Sequence, residues 1–80
     1  DLSANKINSI EAYSFLGIEN SLKKLNLENN YLNKLKDYYF KILYNLTDLN
    51  LSYNKISVIE NKVFENLRML KYLDLSNNFI

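Results

Sequence analysis

One apolar pattern returns along this chain at a fixed spacing, and it leaves little choice of fold. From Leu22 the residues follow the form Leu-x-x-Leu-x-Leu-x-x-Asn-x-Leu, and the same residue types recur 24 residues later and again 24 after that. Before Leu22 the step is 25 residues, and a connecting loop at residues 19–21 can absorb the extra one. A single unit of this kind cannot bury its own apolar side, so neighbouring units must stack. The sequence therefore predicts a solenoid.

The Leu-x-x-Leu-x-Leu segment alternates apolar and polar residues at its end, which places successive side chains on opposite faces of a strand. Each strand recurs once per repeat in the same direction, so the predicted sheet is parallel, with neighbouring strands about 4.8 Å apart. The side chains predicted to face inward are Leu25, Leu27, Leu49, Leu51, Leu73 and Leu75.

Two further columns accompany the leucines. An asparagine follows each predicted strand, at Asn5, Asn30, Asn54 and Asn78. A phenylalanine lies farther along each repeat, at Phe15, Phe40 and Phe64, beside the apolar residues Ile18, Leu43 and Leu67. An aromatic column could also stack nucleic-acid bases, but this fixed apolar setting favours core packing.

The whole pattern resembles the leucine-rich repeat family in its 24-residue form. The resemblance implies an α/β solenoid that winds as a right-handed superhelix, or horseshoe, with a parallel β-sheet on the concave side and a mostly irregular convex side. It also implies a structural asparagine ladder, in which each side-chain amide bonds to backbone groups of adjacent repeats. The phenylalanines would fill the convex half, where we expect irregular stretches or short helical turns.

We expect residues 1–80 to be part of a longer array: full repeats at about 22–45 and 46–69, partial repeats at 1–21 and 70–80, and no caps. The apolar residues of the two partial repeats would then be exposed. These are Leu2, Ile7 and Ile10 on one side and Leu73, Leu75, Phe79 and Ile80 on the other.

Composition excludes several classes of function. The net charge of +1 is spread along the chain, so no basic face for nucleic acid is expected. The chain has no Cys and no His, which removes disulfides, thiolate metal sites and the commonest general base. No apolar run approaches the ~20 residues that a membrane span needs. We therefore expect neither an enzyme nor a cofactor, and no direct membrane insertion.

Function is expected on the outward strand positions, where side chains have no packing role. The residues that we predict to contact a partner are Tyr53, Tyr72, Asp74, Asn50 and Asp48, with Ser52 also facing outward. Exposed tyrosine is typical of protein interfaces because its ring adds apolar area and its hydroxyl adds a hydrogen bond. The alternative is a solvated face whose partner binds elsewhere.

Two tripeptides match the acceptor pattern for N-glycosylation, one at Asn45 and one at Asn50. Asn45 precedes a strand, in a loop that an enzyme could reach, whereas a glycan on Asn50 would block the concave face. We therefore predict modification of Asn45 over Asn50 if the protein is secreted. A set of convex tyrosines predicts a side-to-side dimer: Tyr13, Tyr31, Tyr38, Tyr39 and Tyr44.

The resemblance to secreted and cell-surface members of the family implies a function. We expect a module that binds a protein ligand or co-receptor at the cell surface or outside it, as in innate immunity, adhesion or development. The alternative is a cytoplasmic scaffold in a cytoskeletal or ciliary assembly. Intracellular families more often have another repeat length and a more helical convex side, which favours the first interpretation.

Overall fold

The computed structural model describes residues 1–11 and 14–80, and its regular elements are short β-strands. The strands are β1 (Lys24–Asn26), β2 (Lys34–Leu35), β3 (Asp48–Asn50), β4 (Val58–Ile59) and β5 (Tyr72–Asp74). β1, β3 and β5 form one parallel sheet in that order, and β2 and β4 form a second, two-stranded parallel sheet. Each full repeat thus contributes one strand to each sheet.

The register of the larger sheet follows the repeat length. Lys24 lies opposite Asp48, and Asp48 lies opposite Tyr72, so neighbouring residues across the sheet are 24 apart in sequence. Backbone bonds extend this pairing past the strand ends, for example from Leu27 N to Asn50 O (2.8 Å). The predicted parallel sheet and 24-residue repeat are confirmed. Three strands are too few to show a horseshoe, so the superhelix stays a prediction.

The leucines predicted to face inward form the core where a repeat lies on both sides. Leu25, Leu27, Leu49 and Leu51 are buried, together with Leu32, Leu35, Leu46 and Ile56 from the segments that flank the strands. In the partial repeats, Leu73 and Leu2 are exposed, and Leu75 and Ile7 are half-buried. The expected exposure of Ile10 is wrong, because this side chain packs into the core cluster with Phe15.

The asparagine ladder has the predicted bonding. In Asn54, the side-chain Nδ2 donates to Leu27 O of the preceding repeat (3.0 Å) and Oδ1 accepts from Leu32 N (3.0 Å). Nδ2 also lies within bonding distance of carbonyls in its own turn, Leu51 O among them. Asn30 and Asn78 repeat this arrangement. For Asn5, the described bonds go only to its own turn.

The convex side consists of extended segments and turns, as expected. Phe40 is fully buried and stacks against Phe64, with ring centroids 6.5 Å apart and planes nearly parallel at 5°. The phenylalanine column is therefore core packing. Leu43 and Leu67 are buried beside it, but Ile18 is exposed. Ile18 lies in the longer first repeat, where its carbonyl accepts bonds from the residue 21 and 22 amides of the extra turn.

Candidate functional site

The outward face of the three-stranded sheet carries an open groove of about 730 Å³. Its rim includes four of the sequence-predicted residues: Asp48, Asn50, Tyr72 and Asp74. Tyr72 is the aromatic residue that lines this groove, and 68% of its surface is exposed. The structure therefore brings these four together across β3 and β5, while Tyr53 lies at a different edge of the sheet. Lys71, which the strand pattern alone did not single out, also lines this groove.

The side chains in the middle of the face have a structural role that the sequence analysis missed. Asn50 Oδ1 accepts a bond from Ser52 N (2.9 Å), and Asp74 Oδ1 accepts one from Ser76 N (2.9 Å). The same two-residue bond recurs at Asp1 and Asn26. Each Asx side chain thus closes the turn that follows its own strand. The available signal was an Asx residue in this one column of every repeat.

The bond to Ser76 also affects the charge of the face. Ser76 donates to Asp74 through both its hydroxyl (Oγ to Oδ1, 2.6 Å) and its backbone amide. These donors stabilise the carboxylate and lower the pKa of Asp74 below its ordinary value of 3.8. Asp74 is therefore a fixed negative charge whose second carboxylate oxygen remains available to a partner.

Ser52 does not face the solvent, and this prediction is wrong. It is buried, with its Oγ bonded to Asn50 Oδ1 (2.6 Å) and its carbonyl accepting from Asn54 Nδ2. The backbone has already begun to turn at this position, so simple strand alternation no longer applies. The equivalent Ser76 is exposed.

Tyr53 occupies an unusual backbone conformation at the edge of the sheet. Its φ of +54° lies in the left-handed region, and the equivalent residues Ala4, Asn29 and Asn77 have φ between +55° and +58°. Asparagine tolerates this conformation better than most residues, whereas a bulky side chain is strained there. Tyr53 is 55% exposed, and its side chain borders a second groove, of about 340 Å³.

The two glycosylation candidates differ in accessibility. Asn45 is exposed, with its Nδ2 donating to Asn20 O (3.0 Å) in the connecting loop. Because Nδ2 carries two hydrogens, a glycan on it would leave one for this bond. Asn50 is half-buried in the concave sheet. Asn45 is thus the more accessible of the two, and its modification stays a prediction.

The convex tyrosines form a smaller surface than predicted. Tyr39 is buried in the core and packs edge-on against Phe40 (6.2 Å), so it is not part of an outer surface. Its place in the repeat is shared with Val63, which is also buried. The exposed members are Tyr31, Tyr38 and Tyr44, with the Lys55 ammonium 5.0 Å from the Tyr31 ring. Tyr13 lies outside the described residues.

Neither a metal site nor a membrane span is found in the part of the chain that the structure describes. No three acidic side chains come close enough to one another there to hold a metal ion. No helix in residues 1–11 and 14–80 has the length and apolar character to cross a bilayer.

Comparison with known proteins agrees with this architecture. A family model for the leucine rich repeat matches residues 20–80. The chain is 40% identical to Chaoptin of Drosophila melanogaster over 78 residues, and 38% identical to the leucine-rich repeat-containing G-protein coupled receptor 5 of Rattus norvegicus over 80 residues. These alignments cover 98% and 100% of this chain but only 6% and 8% of those proteins.

Among solved structures, the TLR13 chain in its complex with ssRNA13 superimposes with a TM-score of 0.85 at 36% identity. The match covers 91% of this chain and 10% of that one. Family model, relatives and fold all agree, and the chain belongs to the leucine-rich repeat family.

Proposed function

We propose that this chain is part of a protein-binding surface in a secreted or cell-surface receptor or adhesion protein, and that the concave sheet is the binding face. The observation that carries the proposal is the open groove across β1, β3 and β5, with Tyr72 projecting beside Asp48 and Asp74. A tyrosine amid fixed polar groups, on a rigid sheet, is typical of a protein interface.

The names of two relatives support the receptor part of the proposal, since they are a G-protein coupled receptor and Toll-like receptor 9 of Mus musculus. The chain aligns with about a twelfth or less of either, so their activities do not carry over directly. The assignment to the cell surface or exterior, and to innate immunity, adhesion or development, is likewise part of the proposal. The alternative is a cytoplasmic scaffold.

The TLR13 structure contains an RNA, but the face described here does not suit a polyanion. Asp48 and Asp74 line the main groove and Glu28 lines the smaller one, while Lys24 and Lys71 lie at the edge where the strands begin. Nucleic-acid sites concentrate cations along the path of the phosphates. This balance of charges favours a protein partner.

Replacing Tyr72 tests the binding face. In the full-length protein, Tyr72→Ala should reduce binding to intact cells or extracellular extract at least about tenfold, the range of an interface hot spot. Tyr44→Ala is the matched control, because Tyr44 is also exposed but lies on the convex side. Equal binding by both variants, with wild-type affinity, would reject the concave face as the binding surface.

The predicted glycan tests the location. Mass spectrometry of the native protein should find a glycan on Asn45 and little on Asn50, and Thr47→Ala should abolish the first. The Thr47 hydroxyl has one hydrogen to donate, with Asp48 Oδ1 (2.8 Å) and Lys23 O of the preceding repeat (3.1 Å) as its two acceptors, so Thr47→Ala loses one hydrogen bond and should still fold. Both asparagines unmodified would favour the cytoplasmic scaffold.

The convex tyrosines leave a side-to-side dimer as a second, separate proposal. Tyr38 and Tyr44 are the exposed residues available for it, together with Tyr31. Sedimentation of the full-length protein should then show a dimer that Tyr38→Ser with Tyr44→Ser dissociates, and a monomer at all concentrations would reject it.

A further inference from the structure

We infer that the smaller groove beside Tyr53 is a subsite for a cationic side chain, preferably arginine, of a protein ligand. The inference rests on the proposed protein-binding function and adds to it the chemistry of one contact. The groove is formed by Ser3, Ala4, Glu28, Asn29 and Tyr53, so it spans three successive repeats.

The groove combines an aromatic face with a carboxylate. Tyr53 is 55% exposed, so much of its side chain remains open to a partner. Glu28 is half-buried, and the one side-chain ion pair among the described residues joins Lys34 to Glu60, so Glu28 has no cationic partner there. A cation between the two would gain both a charge pair and a contact with the ring.

The surrounding charges have the same sign. Asp1 and Asp74 lie at the two ends of the outward column Asp1, Asn26, Asn50 and Asp74, and the two lysines that line the main groove lie at its opposite edge, where the strands begin. No lysine or arginine lines the smaller groove. The charge distribution is therefore complementary to a cation at the end of the strands where Tyr53 lies.

The backbone conformation of Tyr53 is one that does not favour tyrosine. The equivalent residues in the repeats on either side, Asn29 and Asn77, are asparagines, which adopt a φ near +55° more readily than tyrosine does. Ala4 shows that the turn accepts other residues, so the strained backbone alone implies nothing. An exposed aromatic ring at a strained position, bordering a groove with an unpaired carboxylate, is what points to a ligand.

Arginine fits this groove better than lysine. Its guanidinium is planar, so it can stack on the Tyr53 ring while its N–H groups reach the Glu28 carboxylate in the bidentate manner. Asn29 also lines the groove, and an asparagine side chain carries a carbonyl oxygen that can accept a further N–H. The expected occupant is therefore an arginine in a loop or extended segment of the partner.

The test uses a random peptide library displayed on phage, selected on the full-length protein. Selected peptides should be enriched in arginine, and their synthetic forms should bind about tenfold more weakly to Glu28→Gln and to Tyr53→Asn. Replacing the peptide arginine by neutral citrulline should cause a similar loss. The matched controls are Glu19→Gln, a half-buried glutamate on a convex loop, and Met69→Asn, which replaces an exposed apolar side chain that does not line the groove.

Thermal melting separates recognition from folding. Tyr53→Asn should keep or raise the melting temperature while it weakens peptide binding, whereas a tyrosine with a purely structural role would lower the melting temperature when replaced. No arginine enrichment, or enriched peptides that bind both groove variants normally, would overturn the subsite. Because this selection does not involve Tyr72 or the natural partner, its result is independent of the test of the proposed function.

Discussion

The turn after each strand and the loop on the convex side are both built by repetition, yet they depend on different interactions. In the turn, one buried asparagine bonds to backbone groups of two repeats, and Asn30, Asn54 and Asn78 do so in the same way. In the loop, the same repeat position is filled by Tyr39 in one repeat and by Val63 in the next. Directed hydrogen bonds thus require one residue type, whereas volume filling accepts several.

The largest expected effect is in the loop. Phe40→Ala removes a fully buried ring that stacks on Phe64, and it should lower the free energy of unfolding of these repeats by about 3–5 kcal/mol. Denaturant unfolding of the full-length protein measures this. Tyr44→Ala is the control, because Tyr44 is an exposed aromatic residue within a full repeat and should change stability little. A small effect of Phe40→Ala would mean that the loop does not depend on this column.

The turn should respond less strongly, and locally. Asn54→Ala leaves Leu32 N without its acceptor, whereas Leu27 O keeps a second donor, Asn30 Nδ2 (3.0 Å), so we expect a cost of roughly 1–3 kcal/mol for one buried polar group. Hydrogen exchange at the Leu32 amide should accelerate with it. Asn33→Ala, at an exposed asparagine in the same stretch of chain, is the control. Unchanged protection of Leu32 would show that the ladder bond is dispensable.

These two regions also mark how far the sequence predicted the structure. The strand register, the inward leucines, the ladder and the buried Phe40 follow from a period that recurs in every repeat. The prediction that Tyr39 and Ser52 lie on the outer surface is wrong. Each lies where the chain bends, and there neither strand alternation nor composition indicates which side of the molecule a side chain takes. The sequence does identify Tyr72 as an outward residue, but the left-handed conformation of Tyr53 depends on three-dimensional geometry.

A third change should stabilise the turn. Tyr53→Asn places a residue that tolerates a φ of +54° where tyrosine is strained, and it should raise the free energy of unfolding by up to about 1 kcal/mol. Tyr44→Asn, at an exposed tyrosine with ordinary φ, should give no such gain. Denaturant unfolding of both variants measures the difference, and a destabilised Tyr53→Asn would mean that the ring packs on its own turn.

The smallest expected effect is a pH dependence of stability. It appears when two versions of the same turn are compared, one with a charged side chain and one with a neutral side chain. Asp74 and Asn50 both accept a bond from the amide two residues later, but only Asp74 can be protonated. Its folded-state pKa lies below 3.8, so its contribution to stability is fully present above that pH.

The contribution of the Asp74 carboxylate to stability should be lost as the pH falls through its lowered pKa. An NMR titration should show the Asp74 carboxyl carbon and the Ser76 amide shifting together at that pH, while the Ser52 amide, whose acceptor is Asn50, stays constant. Ser76→Ala should raise the pKa of Asp74 toward 3.8, because the hydroxyl is the largest cause of the shift. An unchanged pKa in that variant would mean that the backbone amide alone stabilises the carboxylate.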